Sequence, residues 1–227
     1  MPRIMLVHAV AEAVGPIRQA FAADWPAAET HDLMDTSLSA DLAADGGKLG
    51  ARMVDRFKTL GRYAAAAGPD GRASDAILFT CSAFGPAIEA VRADLKIPVH
   101  KPNEAAFERA LEAGSGAGSR IGVLVTFEPS LPALSAELEA MAQARGVKVT
   151  VEGAIAKGGM EALRAGKPEA HDALLVQAAR ALPPVDAIVI GQFSAARAAA
   201  AIAAVRSEPV LTTPGSAVTK LKKTLGA

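Results

Sequence analysis

The chain has 227 residues, long for one domain and short for two independent ones, so two small lobes are expected. Hydrophobic residues make up 51% of it, enough for a sizeable core. Aromatics are only 4% and the formal net charge is zero, which excludes the basic surface and stacking platforms of a nucleic-acid binder.

The N-terminus runs straight into a strand-like segment with no leader pattern, and a cytoplasmic setting is expected. Short Ile-, Val- and Leu-rich runs at 4–7, 30–34, 76–80, 98–100, 121–125, 148–152, 187–190 and 209–211 read as strands. Strands buried on both faces of a parallel sheet have this composition. Helical patterns lie between them at 15–23, 38–66, 86–95, 104–113, 130–144, 171–181, 194–205 and 217–225, the second breaking near Gly46 and Gly47. Pro16, Pro86 and Pro129 fall where helices begin, which suits a residue with no N–H. The alternation predicts an α/β fold with parallel sheets and right-handed crossovers. No apolar run reaches the ~18 residues of a membrane span. The glycine-rich stretch from Gly114 to Gly118 precedes a strand instead of following one, so it reads as a linker between lobes and not as a dinucleotide loop.

The sequence also repeats itself. Asp75 to Cys81 lines up with Asp186 to Gln192, and without a gap Pro98 and Val99 then fall on Pro209 and Val210. Arg3 and Ile4 echo Arg120 and Ile121 at a slightly different offset. A duplicated unit follows, with Cys81 and Gln192 at corresponding strand ends. Ligands of open α/β sheets bind beyond the carboxyl ends of strands. Two halves packed face to face would put these two residues on opposite walls of one cleft.

Thr80, Cys81 and Ser82 with Gly85 resemble the aspartate/glutamate racemase superfamily, which includes hydantoin racemases, maleate isomerases and arylmalonate decarboxylase. The resemblance extends to the opening 4–10 segment, to Asp35, Thr36, Ser37 and Leu38, to Ile121 through Thr126, to Ala170 through Leu174, and to Asp186 through Gly191. It implies two similar α/β lobes related by a pseudo-two-fold duplication, with parallel-type sheets, an active-site cleft between them and no cofactor. Lobe one would be 1–98 plus 206–227, lobe two 99–205. It also implies a small carboxylate-bearing substrate, such as an amino acid or related acid, and a homodimer. Two-base racemases of this family carry a cysteine in each half, and here the second position is Gln192.

A thiol at a strand tip just before a helix meets unpaired N–H groups and the positive end of the dipole, so Cys81 is expected to favour the thiolate and to act as an acid/base. Ser82, Ala83 and the following amides are expected to hold a carboxylate. Thr80 and Thr126 would add hydroxyl donors to an enediolate, and Gln192 and Phe193 complete the proposed substrate contacts. An amide neither takes nor gives a proton near neutral pH, so Gln192 is not the second base of a racemase. His8, at the end of the first strand, has a suitable pKa range for that task. The family default is an isomerase or racemase. The alternatives are a single-cysteine decarboxylase or lyase of the same family, and a non-catalytic small-anion-binding protein. Four scattered histidines and one cysteine form no metal motif. His171 beside Asp172 reads as a cap or surface residue, Lys101 after His100 as solvated surface, and Glu128 before Pro129 as a helix-start carboxylate.

Overall fold

The computed structural model describes residues 1–114 and 118–227. These form two compact units, Met1–Pro102 with Ala217–Ala227, and Asn103–Ser216. The first unit contains β1 (Arg3–His8), α1 (Val14–Asp24), β2 (Glu29–Met34), α2 (Ser37–Ala44), α3 (Ala51–Ala66), β3 (Ala76–Phe79), α4 (Gly85–Asp94) and β4 (Val99–His100). The second contains α5 (Glu104–Ala113), β5 (Ser119–Val125), α6 (Leu131–Ala144), β6 (Val149–Ile155), α7 (Gly159–Arg164), α8 (Pro168–Ala181), β7 (Ala187–Ile190), α9 (Ala199–Ala203) and β8 (Val210–Thr212). Helix α10 (Thr213–Thr224) starts in the second unit and finishes in the first.

Each unit has a four-stranded sheet whose strands are all parallel, in the same order: β2-β1-β3-β4 and β6-β5-β7-β8. The duplication reaches single hydrogen bonds. The Arg3 N–H donates to Asp75 Oδ2 at 2.7 Å, and the Arg120 N–H to Asp186 Oδ2 at 2.7 Å. The Ile77 N–H meets the Pro98 carbonyl at 2.9 Å, and the Ile188 N–H meets the Pro209 carbonyl at 2.9 Å.

The apolar runs form strands because both faces of each sheet are covered. In β7, Ala187 and Val189 face a cluster with α5 and α6, while Ile188 and Ile190 face one with α8 and α9. In the first unit, Met5, Val7, Ile77 and Phe79 pack against residues of α2, α3 and α4. Three of the few aromatics meet there: Phe57 lies 5.3 Å from Phe79 and 4.8 Å from Phe84, ring centre to ring centre. The long helical pattern splits as expected, because Gly46 and Gly47 both adopt positive φ between α2 and α3.

Several expectations need correction. Strand β8 pairs with β7, so residues up to Ser216 stay with the second unit instead of joining the first at 206. The unit boundary falls after Pro102, so the glycine-rich stretch does not link lobes. Gly114 follows α5 and Gly118 precedes β5, and 115–117 lie outside the described residues. The pattern at 194–205 is a 3₁₀ turn (Phe193–Ala198) followed by the short α9.

Phe57 is 2% exposed and carries two ring contacts. Phe57→Ala is therefore expected to lower unfolding stability by about 3–5 kcal/mol in urea titrations. A loss within the roughly 0.5 kcal/mol usual for surface sites would contradict this packing.

Candidate active site

Parallel pairing of β1 with β3 sets Val7 opposite Phe79, and the Thr80 N–H donates to the Val7 carbonyl at 3.0 Å. The two strand ends thus carry His8 and Thr80 side by side, with Cys81 next in the chain. His8 is fully buried. Its Nδ1 lies 2.8 Å from Thr80 Oγ1 and its Nε2 lies 2.9 Å from Asp32 Oδ1 on β2. Arg18 of α1 closes the outer side through a short ion pair to Asp32, with Nε 3.0 Å from Oδ2.

Although burial opposes ionisation of Asp32, the hydrogen bonds from Arg18 and His8 hold its carboxyl below the usual carboxylate range. Asp32 is therefore an acceptor, and the proton between it and His8 sits on Nε2. That leaves Nδ1 as the acceptor of the Thr80 hydroxyl proton. Burial pushes His8 below the ordinary imidazole range, against the pull of Asp32. The imidazole rests neutral.

His8 and Cys81 line one tight niche with Val7, Ala9, Leu38, Phe57 and Phe79. The expected helix effect on Cys81 fails here. A 3₁₀ turn, Ser82–Phe84, separates it from α4, so the thiol does not sit at the first turn of an α-helix. Burial pushes the Cys81 thiol up, opposed only by the Ala83 backbone N–H. At neutral pH the group is a thiol and not a thiolate.

Ser82 and Ala83 lie half-buried in that turn. In the second unit Gln192 follows β7, and its Oε1 accepts the Thr126 N–H at 2.7 Å and the Thr126 hydroxyl at 2.8 Å. This fixes the amide orientation, with the oxygen towards Thr126. It also commits the Thr126 hydroxyl proton, as His8 commits that of Thr80, so neither hydroxyl is the spare donor expected from the sequence. Phe193 is 3% exposed. Thus the structure groups His8, Thr80 and Cys81 in one unit, and Thr126 and Gln192 in the other.

Asp32 and Arg18 are missed by sequence reasoning. The one signal for Asp32 is a carboxylate inside an otherwise strand-like run, which strand pairing alone connects to His8. His171 also departs from expectation. It is fully buried on the same helix face as Leu175 and Ala179, with Nδ1 2.8 Å from Asp172 Oδ1, which Arg197 also binds. Lys101 is held by Glu89 at 2.9 Å, and Glu128 is exposed. Among the described residues, no three or more His, Cys, Asp or Glu side chains converge as a metal site, and no helix is long and apolar enough to cross a membrane.

A duplicated α/β sheet with a lone cysteine at a strand end defines the class of protein. The model of the Asp/Glu/Hydantoin racemase family matches residues 8–184, and the chain belongs to that family. No curated protein matches the sequence. Among solved structures, a glutamate racemase from Bacillus anthracis superposes with a TM-score of 0.71 at 12% identity, covering 99% of this chain and 82% of that one. Allantoin racemase from Pseudomonas fluorescens gives 0.66 at 20% identity, covering 99% and 92%. Unliganded arylmalonate decarboxylase gives 0.56 at 14% identity, covering 97% and 91%. These likenesses establish a shared fold.

Two predictions follow from the burial of this site. Alkylation of Cys81 by iodoacetamide is expected to rise with pH to a midpoint above the ~8.5 of a free thiol. A midpoint well below that value would contradict the upward push on this half-buried thiol. His8 binds a proton less readily folded than unfolded, so the unfolded chain protonates first as pH falls. Stability should be fully present above about 6.5 and decline below it, towards the lowered His8 value. His8→Gln should flatten that part of the stability profile. An identical slope in the two proteins would count against the assignment.

Proposed function

We propose that this chain is a cofactor-independent enzyme of carbanion chemistry on a small carboxylate-bearing substrate, working from one face with Cys81 as proton donor, in the manner of a single-cysteine decarboxylase or lyase. The observation that carries this reading is the contrast between repeat-equivalent positions. The thiol of Cys81 is a group able to exchange a proton, and the amide of Gln192, tied to Thr126, is not. Inversion by paired thiols therefore has no second thiol. The raised Cys81 value supports the same role, since a protonated thiol is already the acid that a carbanion needs.

In the proposed step, the bond from the reacting carbon to a carboxylate breaks and CO₂ leaves. The electron pair stays on carbon, spread onto the remaining carboxylate as an enediolate. The Cys81 S–H proton then moves to carbon, and the resulting thiolate regains a proton from water. Backbone N–H groups of the Ser82–Phe84 turn and the Ser82 hydroxyl are the proposed carboxylate donors.

One specific observation favours a second reading. The niche beside Cys81 is too tight to admit a water molecule, which suits a thiol serving as packing in a protein that binds small anions without chemistry.

Incubation in D₂O with malonates, amino acids, hydantoins and maleate separates these readings. The expected result is CO₂ release from a malonate-type acid, with one deuteron delivered to carbon in a single configuration. Cys81→Ala should lower the rate by roughly 10²–10⁴-fold. Racemisation of an amino acid or hydantoin would overturn the one-face assignment. Saturable binding with no turnover would favour the anion-binding reading, and full activity in Cys81→Ala would remove Cys81 from the mechanism.

A further inference from the structure

Among the described residues, Asn103 is the one side chain that buries a donor and an acceptor together without a partner. It is 1% exposed, and neither its Nδ2 nor its Oδ1 makes a hydrogen bond. Buried amides are paired with few exceptions, because each unmet group carries its full desolvation cost.

Asn103 is the N-cap of α5, where an asparagine ordinarily gives its oxygen to an N–H of the first turn. Here its own backbone is already helical, at φ −105° and ψ −23°, and the side chain makes no such bond. The Phe107 N–H donates to the Asn103 carbonyl at 3.0 Å. The Ala105 and Ala106 N–H groups precede that bond and have no carbonyl within the helix to reach. Most helix starts give such groups to water. Among the described residues, α5 is the only helix whose first four residues are all buried. The repeat shows a related feature in α10, which follows the fourth strand of its sheet as α5 does. Its first residue, Thr213, is fully buried with an unpartnered hydroxyl.

The start of α5 lies at the ligand end of the second sheet. A Cβ on Gly114, just after α5, would stand 2.0 Å from Ser119 Oγ, so the helix ends against the amino end of β5. It packs on the sheet through Ala106, Phe107, Ala110 and Leu111. Midway along it, Arg109 Nη1 reaches Ser216 Oγ at 3.3 Å, four residues beyond the end of β8. Its first turn therefore stands towards the carboxyl ends of the strands, where Thr126 and Gln192 follow β5 and β7.

The groups available define what they recognise. Asn103 Nδ2 and the first-turn N–H groups are donors suited to a carboxylate. Asn103 Oδ1 needs a donor in return. The flanking charges in the chain are one of each sign and both are engaged: Lys101 Nζ lies 2.9 Å from Glu89, and Glu104 has a partner of its own. Hydrogen bonds, and not net charge, therefore select the ligand.

We infer that Asn103 and the start of α5 form a substrate subsite for a carboxylate whose adjacent carbon bears a hydroxyl or amino group, the carboxylate taken by the N–H donors and the O–H or N–H by Asn103 Oδ1. This names the substrate class of the proposed function and rests on its carboxylate-bearing substrate, not on the role of Cys81. A malonate-type acid has two carboxylates, so this subsite does not compete with the turn at Ser82.

Binding is read without turnover in Cys81→Ala, which lacks the proposed proton donor. In ¹H–¹⁵N spectra, the Asn103 NH₂ pair is assigned through its own backbone. Tartronate and aminomalonate are expected to shift that pair and the Ala105 and Ala106 amides. Their affinity should exceed several-fold that of malonate, which lacks the hydroxyl or amino group. Adding Asn103→Asp, which keeps the shape and loses the NH₂ donors, should lower tartronate affinity by about 10–100-fold. Backbone amide spectra report the fold of that variant. An Asn103 NH₂ pair that none of the three acids moves, as for an amide paired with buried water alone, would overturn the inference. Equal affinity for malonate and tartronate, or undiminished binding in folded Asn103→Asp, would do the same. Turnover without these shifts removes the subsite and leaves the proposed function standing; shifts without turnover do the reverse.

Discussion

Everything at this site hangs on the register of two parallel strands. Because Val7 lies opposite Phe79, the carboxyl ends of β1 and β3 bring His8 and Thr80 together, with Cys81 next in the chain. A slip of one residue would turn each side chain to the other face of the sheet. The register is held by the apolar faces: Met5, Val7, Ile77 and Phe79 bury against the helices on one side, while Ile4, Leu6, Ala76 and Leu78 are fully buried facing the other. A hydrophobic pattern with no chemistry of its own thus aligns the groups that have some.

The electrostatics of the site follow from that burial. A thiolate facing an imidazolium would be the obvious reactive pair for a cysteine beside a histidine. Here the two shifts point away from it, the thiol upward and the imidazole downward. Desolvation dominates both groups, and the charged pair beside His8 is Asp32 with Arg18. The resting site is a neutral acid beside a neutral base. That state suits delivery of a proton to a carbanion better than abstraction of one from carbon. The second unit keeps the same scaffold with valine and glycine at the equivalent positions, and presents an amide where the first presents sulfur.

Much of this was legible in the amino acids, for identifiable reasons. Buried parallel strands are short runs of Ile, Val and Leu, and all eight appear in the structure at or near their expected places. The duplication showed because Asp75 and Asp186, and Pro98 and Pro209, make equivalent hydrogen bonds to the backbone of the neighbouring strand. His8 could be singled out because the end of a strand is visible in a sequence. Asp32 could not, since its link to His8 exists only through strand pairing. α7 is six residues long and begins at glycine, too short for a periodic pattern. The start of α8 was signalled by Pro168 at its first position, a cue outweighed by the attraction of His171 and Asp172 as a helix opening. The thiolate expectation failed because a strand followed by a helix does not reveal the intervening 3₁₀ turn, which moves the α-helix terminus away from sulfur.

The central claim is that the sole sulfur nucleophile rests protonated at neutral pH. Thiolate absorbs in the near ultraviolet, and Cys81 is the only cysteine, so the difference spectrum between the wild-type chain and Cys81→Ala isolates it. A pH titration of that difference should show no thiolate at neutral pH and an onset only above the ordinary thiol range. A thiolate band already present at neutral pH would contradict the account.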